Sequence, residues 1–158
     1  MDRVSEGRSL GSMFIMYVAT LLFFAVGAVT TPQLGWYGML AVPSWTPPEL
    51  LIAAIWCVLF ILTPISLSLF WEAASEDLVS VAFLYAGNGA LVLLWNYLFF
   101  GLHMLPAALA AAALVGISVI AIILKVKRVS RKAAWLMVPY LLWTVFAAYL
   151  IYAIMTMN

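Results

Sequence analysis

A bundle of five membrane-spanning helices is the fold class this sequence predicts, and three observations predict it. Apolar residues make up 68% of the chain and charged ones only 8%, where soluble domains carry about a quarter charged. Mean hydropathy is +1.17. Five apolar runs each approach or exceed the roughly 20 residues that a helix needs to cross a bilayer. A transmembrane β-barrel would alternate apolar and polar positions, and these unbroken runs exclude it. The chain is read as one all-α membrane domain, residues 1–158.

The first span covers residues 12–31. Arg3 and Arg8 precede it as they would a signal peptide. The run is long enough to span and no small-residue cleavage site follows, so it is taken as a retained helix. Residues 36–46 then form the one long non-helical stretch. Pro43, Pro47 and Pro48 bias their predecessors towards extended backbone, and the stretch is loaded with aromatics. It is expected to be a structured lid over an internal pocket.

The second span is placed at residues 47–71. Thr46-Pro47-Pro48-Glu49 has the form of a capping box, with Thr46 as cap, Pro47 first in the helix and Glu49 reaching back. The third span, 78–100, is expected to start from Ser75 as cap, with Glu76 and Asp77 where the helix dipole favours acids. Pro106 opens the fourth, 106–124, and Ser130 caps the fifth, 133–155. Pro64 and Pro139 lie inside their helices and should kink them.

All seven Lys and Arg lie at the N-terminus or between the fourth and fifth spans, as Lys125, Lys127, Arg128, Arg131 and Lys132. With five spans both places fall on one side, which the positive-inside rule makes cytoplasmic. The N-terminus is then cytoplasmic, and the 36–46 connector and Asn158 face outward, in a prokaryotic cell membrane rather than a mitochondrial one. The six acids all fall at helix ends or in tails. Proton-coupled exporters need an ionisable group inside the bundle, so that class is disfavoured. A net charge of +1 offers nothing to nucleic acid. One cysteine, Cys57, excludes an internal disulfide and a cysteine-only metal cluster. Small residues recur every fourth position as Ala108, Ala112 and Gly116 on the fourth span and Ala86 and Ala90 on the third. Such spacing lets helices approach closely, within the subunit by preference or across a homodimer.

The chemistry on offer is aromatic. Trp36, Trp45, Trp56, Trp95 and Trp143 supply large flat surfaces from several segments. Trp56 and Phe60 share a helix face, as do Asn88, Leu91 and Trp95, and Trp143, Ala147 and Leu150. A cavity lined this way suits a planar hydrophobic ligand. Trp71 and Trp135, near helix ends, fit an interfacial belt. His103, the only histidine, could ligate a haem iron; a wetted loop residue is the favoured reading and no metal site is assigned. No nucleophile–base pair, paired carboxylates or glycine-rich phosphate loop is present.

Three motifs carry a resemblance. Trp36, Tyr37, Leu40, Pro43, Trp45, Pro47 and Pro48 fit WYxxLxxPxWxPP; Leu94-Trp95-Asn96-Tyr97-Leu98-Phe99-Phe100-Gly101 is similar to LWSPLFFG; and Leu136, Pro139, Tyr140, Trp143, Phe146, Ala147, Tyr149 and Leu150 fit AxxLxxPYxxWxxFAxYL. On these the chain resembles the TspO/MBR family of tryptophan-rich sensory and translocator proteins. The resemblance implies five helices and a porphyrin and drug pocket bordered by Trp36, Trp56 and Trp143. With the residue faces above, the expected ligand set is Trp36, Tyr37, Trp45, Pro47, Trp56, Phe60, Asn88, Leu91, Trp95, Phe99, Trp143, Ala147 and Leu150. In bacterial relatives the positions matching Trp36 and Trp143 are associated with light-dependent breakdown of protoporphyrin, which would make these two catalytic. The chain departs from the family at Val92, at Asn96-Tyr97 and at Ile151, which implies a less polar pocket.

The expected function is binding of a porphyrin or similar flat ligand in a sensory or transport role. A porphyrin-degrading enzyme and a structural partner of other membrane proteins stay open as alternatives. No cofactor is required, porphyrin or haem being ligands. The partners are that ligand, membrane lipids and a second copy of the chain.

Overall fold

The structure, a computed structural model, describes residues 34–74 and 77–158. The first predicted span, and Ser75 and Glu76 of the expected cap, lie outside the described residues. Those described form helices without strands: α1 (Leu34–Tyr37), α2 (Glu49–Ala73), α3 (Leu78–Asn96) running into a π-helical turn (Tyr97–Gly101), α4 (Leu105–Val126), α5 (Arg131–Leu136) and α6 (Val138–Met157). Four continuous stretches among them are long and apolar enough to span: Glu49–Ala73, Leu78–Gly101, Leu105–Val126 and Arg131–Met157.

Two helix starts differ from expectation. α2 begins at Glu49, and the capping box does not form. Each proline disfavours helical backbone in the residue before it, so Thr46 and Pro47 stay outside the helix. The cap falls to Pro48 (φ −54°, ψ 143°), which has no side-chain acceptor. Thr46 Oγ1 is left buried without a partner among the described residues. α3 starts from Asp77 in the left-handed region (φ 64°), and its carboxylate caps nothing. It pairs instead with Lys125 Nζ at 2.7 Å, tying the start of α3 to the end of α4. The other signals hold: Pro106 lies in the first turn of α4, and Ser130 Oγ accepts from the Ala133 N–H at 3.3 Å.

The two internal prolines behave differently. α2 runs unbroken through Pro64, so the kink expected there is no interruption. Near Pro139 the helix does break, at Met137, whose N–H reaches back only three residues to Ala134. Pro139 has no N–H for the Trp135 carbonyl and its ring crowds that group. The break therefore falls just ahead of it, and α5 and α6 are separate pieces.

At the end carrying the basic residues the bundle is solid. Val81, Val119, Ile122, Val126, Ala133 and Met137 are completely buried in one cluster. Hydrogen bonds cross it. Ser66 Oγ donates to the Ala133 carbonyl and meets the Tyr85 hydroxyl, both at 2.7 Å. Asn88 donates to Ser118 Oγ (2.8 Å) and accepts from Tyr140 Oη (3.0 Å). Towards the other end, Ala108 and Ala112 are buried beside Phe99 and Ile151, and midway the bare face of Gly116 meets Thr144 Oγ1. The α4 small-residue stripe thus packs within the subunit. Ala86 and Ala90 on α3 are exposed.

Candidate ligand-binding site

At the opposite end, beside a smaller packed cluster around Phe99 and Ala108, the helices border a chamber of about 260 Å³. α2 lines it with Glu49, Ile52, Ala53 and Trp56, and α6 with Trp143, Phe146, Ala147, Leu150, Ile151 and Ile154. Both sets repeat at the three- and four-residue intervals of one helix face. Ala53 and Ala147 leave the room that larger side chains would fill. The third wall is Trp95 of α3 with Phe99 and Phe100, which the π-helical turn presents, and Tyr37 comes from the connector. In that turn Leu102 N–H bonds Tyr97 O at 2.9 Å, one residue further back than in an α-helix. Gly101 allows it, because a Cβ there would stand 3.0 Å from the Tyr97 ring.

The aromatic rings hold one another. Trp56 stacks on Phe60 (centroids 5.5 Å apart) and Trp95 (5.8 Å) and meets Trp143 edge-on (6.4 Å, 90°). Trp143 stacks on Phe146 at 5.3 Å. The wall is therefore almost wholly apolar, with Glu49 the one charged residue among those lining it. Behind it, Trp95 Nε1 and Trp143 Nε1 are buried donors with no partner among the described residues, an arrangement that costs about 1–3 kcal/mol per group when nothing satisfies it. Tyr37 adds a hydroxyl; burial first, and then the nearby charge of Glu49, push its pKa up. It stays a protonated donor at neutral pH.

The connector is pinned over this end at three points. Trp36 stacks on His103 (4.0 Å, 19°) and meets Phe99 edge-on; His103 itself sits at φ 57° in the turn after the π segment. Trp45 stacks on Tyr149 (5.3 Å, 14°) and touches Phe146 edge-on. The Asn158 amide accepts from the Ala41 N–H (3.0 Å) and donates to the Ala41 carbonyl (2.9 Å). A side chain thereby pairs with backbone as a neighbouring strand would. Beneath the connector lies a second, more polar space of about 430 Å³, which shares Tyr37 and Glu49 with the chamber.

Of the thirteen residues expected at the site, seven line the chamber: Tyr37, Trp56, Trp95, Phe99, Trp143, Ala147 and Leu150. The other six stand elsewhere. Trp36 and Trp45 are the connector's anchors, and Pro47 lines the space beneath it. Phe60 backs Trp56, one layer out. Leu91 packs against the solid cluster, and Asn88 spends its amide on Ser118 and Tyr140. The two indoles expected to act together, Trp36 and Trp143, do not share a wall. Residues not anticipated are Glu49, Ile52, Ala53, Phe100, Phe146, Ile151 and Ile154. Periodicity from Trp56 and Trp143 points to most of them, whereas Phe100 depends on the π turn.

The model of the TspO/MBR family matches residues 14–157. The tryptophan-rich protein TspO of Bacillus cereus is 33% identical over 148 residues, covering 93% of this chain and 97% of that protein. The protein CrtK of Rhodobacter capsulatus is 32% identical over 152 residues, 95% of this chain and 94% of its own. The translocator protein of Sus scrofa is 35% identical over 147 residues, with 82% and 87% covered.

Proposed function

The chain belongs to the TspO/MBR family of integral membrane proteins, and from that premise we propose that it binds a flat hydrophobic ligand of the tetrapyrrole class in the aromatic chamber, in a sensory or transport role. The observation that carries the reading is the chamber itself, an apolar space walled by aromatic rings from α2, the end of α3 and α6. A packed core would not leave that space. A ligand that stacks on the rings fills it, and an acceptor on that ligand, such as a carboxylate or carbonyl, reaches the buried donors Trp95 Nε1 and Trp143 Nε1 once a ring turns. The chamber exceeds the cavity of about 150 Å³ that holds benzene. A tetrapyrrole macrocycle is much broader than benzene and fits only if the Trp143–Phe146 side gives way.

Lys127, Arg128, Arg131 and Lys132 are exposed at the end opposite the chamber, and under the positive-inside rule their position supports a cytoplasmic basic end, with the connector outside, in a prokaryotic cell membrane. The test is titration of protoporphyrin IX against tryptophan fluorescence in lipid nanodiscs. Saturable quenching that weakens in Trp95→Phe and Trp143→Phe supports the reading; linear, non-saturable quenching overturns it. The enzymatic alternative, breakdown of protoporphyrin in light and dioxygen, draws on Trp143, the one indole of the expected pair on the chamber wall. Loss of the Soret band on illumination that persists in Trp143→Phe would remove that role.

A further inference from the structure

We propose that the ligand reaches the chamber sideways from the bilayer, between α2 and α6, with Trp143 and Phe146 as the gate; this rests on the ligand-binding reading above. An apolar groove of about 540 Å³ runs along the outside of the bundle between these helices. Leu51, Ala54 and Val58 of α2 and Leu142 of α6 are among its walls, and Trp143 and Phe146 form its floor. Those two side chains also line the chamber, and among the described residues no other lines both spaces. One layer of aromatic rings therefore separates the interior from a groove within the membrane-spanning stretch.

The backbone is already parted there. α2 is fastened to α5 at the basic end, where Ser66 bonds the Ala133 carbonyl, whereas it meets α6 through side chains, Trp56 against Tyr140 and Trp143, with few close backbone approaches. The gate is also lightly held. Trp143 Nε1 has no hydrogen bond to lose, and its contacts with Phe146 and Trp56 are ring on ring. Ala147, one turn on, leaves space beside the indole.

The competing route, through the connector, is better closed. It would require parting the Ala41–Asn158 pair and both anchor stacks, Trp36 on His103 and Trp45 on Tyr149. It also leads through the more polar of the two spaces. A hydrophobic ligand is concentrated in the bilayer, not in water, so the apolar groove meets it where it is.

The test uses the full chain in nanodiscs, with protoporphyrin IX as the probe and stopped-flow quenching as the readout. Ala54→Phe fills the groove from a residue that does not line the chamber; Val58→Phe is the second variant should the first fail to fold. A connector staple, Ala41→Cys with Asn158→Cys in a Cys57→Ser background, is closed by a short bifunctional thiol reagent. Groove filling is expected to slow association and dissociation together by about tenfold and leave Kd within about twofold, as an altered path without altered end states must. The staple is expected to change neither rate, and the wild-type rate should follow porphyrin per lipid, not porphyrin per volume. Unchanged rates in both groove variants, or slowing by the staple, overturn the lateral route while leaving binding intact. Absence of saturable binding in the wild type overturns the binding reading itself, and the route with it.

Discussion

The two halves of the bundle are built from the same kinds of residue and end in opposite states. Around Val119, Ile122 and Met137 the interior is filled, and its polar atoms are paired through Ser66, Tyr85, Asn88, Ser118 and Tyr140. Around Trp56, Trp95 and Trp143 it is hollow, and two buried indole N–H groups have no partner among the described residues. The difference lies in shape. β-branched and unbranched aliphatics interdigitate between close helices, whereas flat rings braced against one another leave space between planes. The filled half fixes how α2, α4 and α5 stand. The hollow half is left free to take a guest.

That contrast can be broken from either side. The largest effect is expected from Met137→Ala in the filled half. It should cost about 2–5 kcal/mol of stability, measured by unfolding in mild detergent, with ligand affinity of the folded fraction unchanged. Ala147→Phe should do the reverse, abolishing saturable porphyrin quenching (a loss of about 100-fold or more in Kd) without lowering the unfolding midpoint, since it fills a void. If it destabilises instead, the chamber is not the open space described.

Smaller effects sharpen the same boundary. Asn88→Ala strands the Tyr140 hydroxyl and should cost about 1–2 kcal/mol, as expected for a buried interhelical hydrogen bond. Its affinity should stay at the wild-type value, because Asn88 faces Ser118 and Tyr140 and not the chamber. The smallest changes should come from Trp95→Phe and Trp143→Phe. Each removes one donor and keeps a ring, so affinity should fall by about 3–10-fold, the worth of one hydrogen bond. Stability should hold within about 1 kcal/mol, because the deleted N–H has no partner to lose in the empty protein.

Much of the fold was legible because bilayer thickness imposes helix length. The four described spans fall within about two residues of their sequence bounds at most ends. Local signals that act within one turn, such as Ser130 as a cap and Pro106 in a first turn, were equally readable. Thr46 shows where a motif misleads. The capping box is a pattern of residue types, but two successive prolines veto the backbone it needs. At the site, the faces read from Trp56, Trp143, Ala147 and Leu150 line the chamber because they follow helical periodicity. Trp36, Trp45 and Asn88 were not placed by the same means, since a connector's path and a polar group's partner lie in other segments.

By itself the sequence determined that the chain spans a membrane as helices, where most of those helices begin and end, and that its polar chemistry is sparse and its aromatic surface large. These follow from the solvent and from spacing along one chain. Only the tertiary structure decided that α2 and α6 part above the Ser66–Ala133 bond and that a π turn sets Phe99 and Phe100 into the wall. It also decided that Trp36 leans on His103 while Trp143 faces the hollow. Those outcomes depend on how rings from distant segments stack, and that geometry does not exist until the helices have been brought side by side.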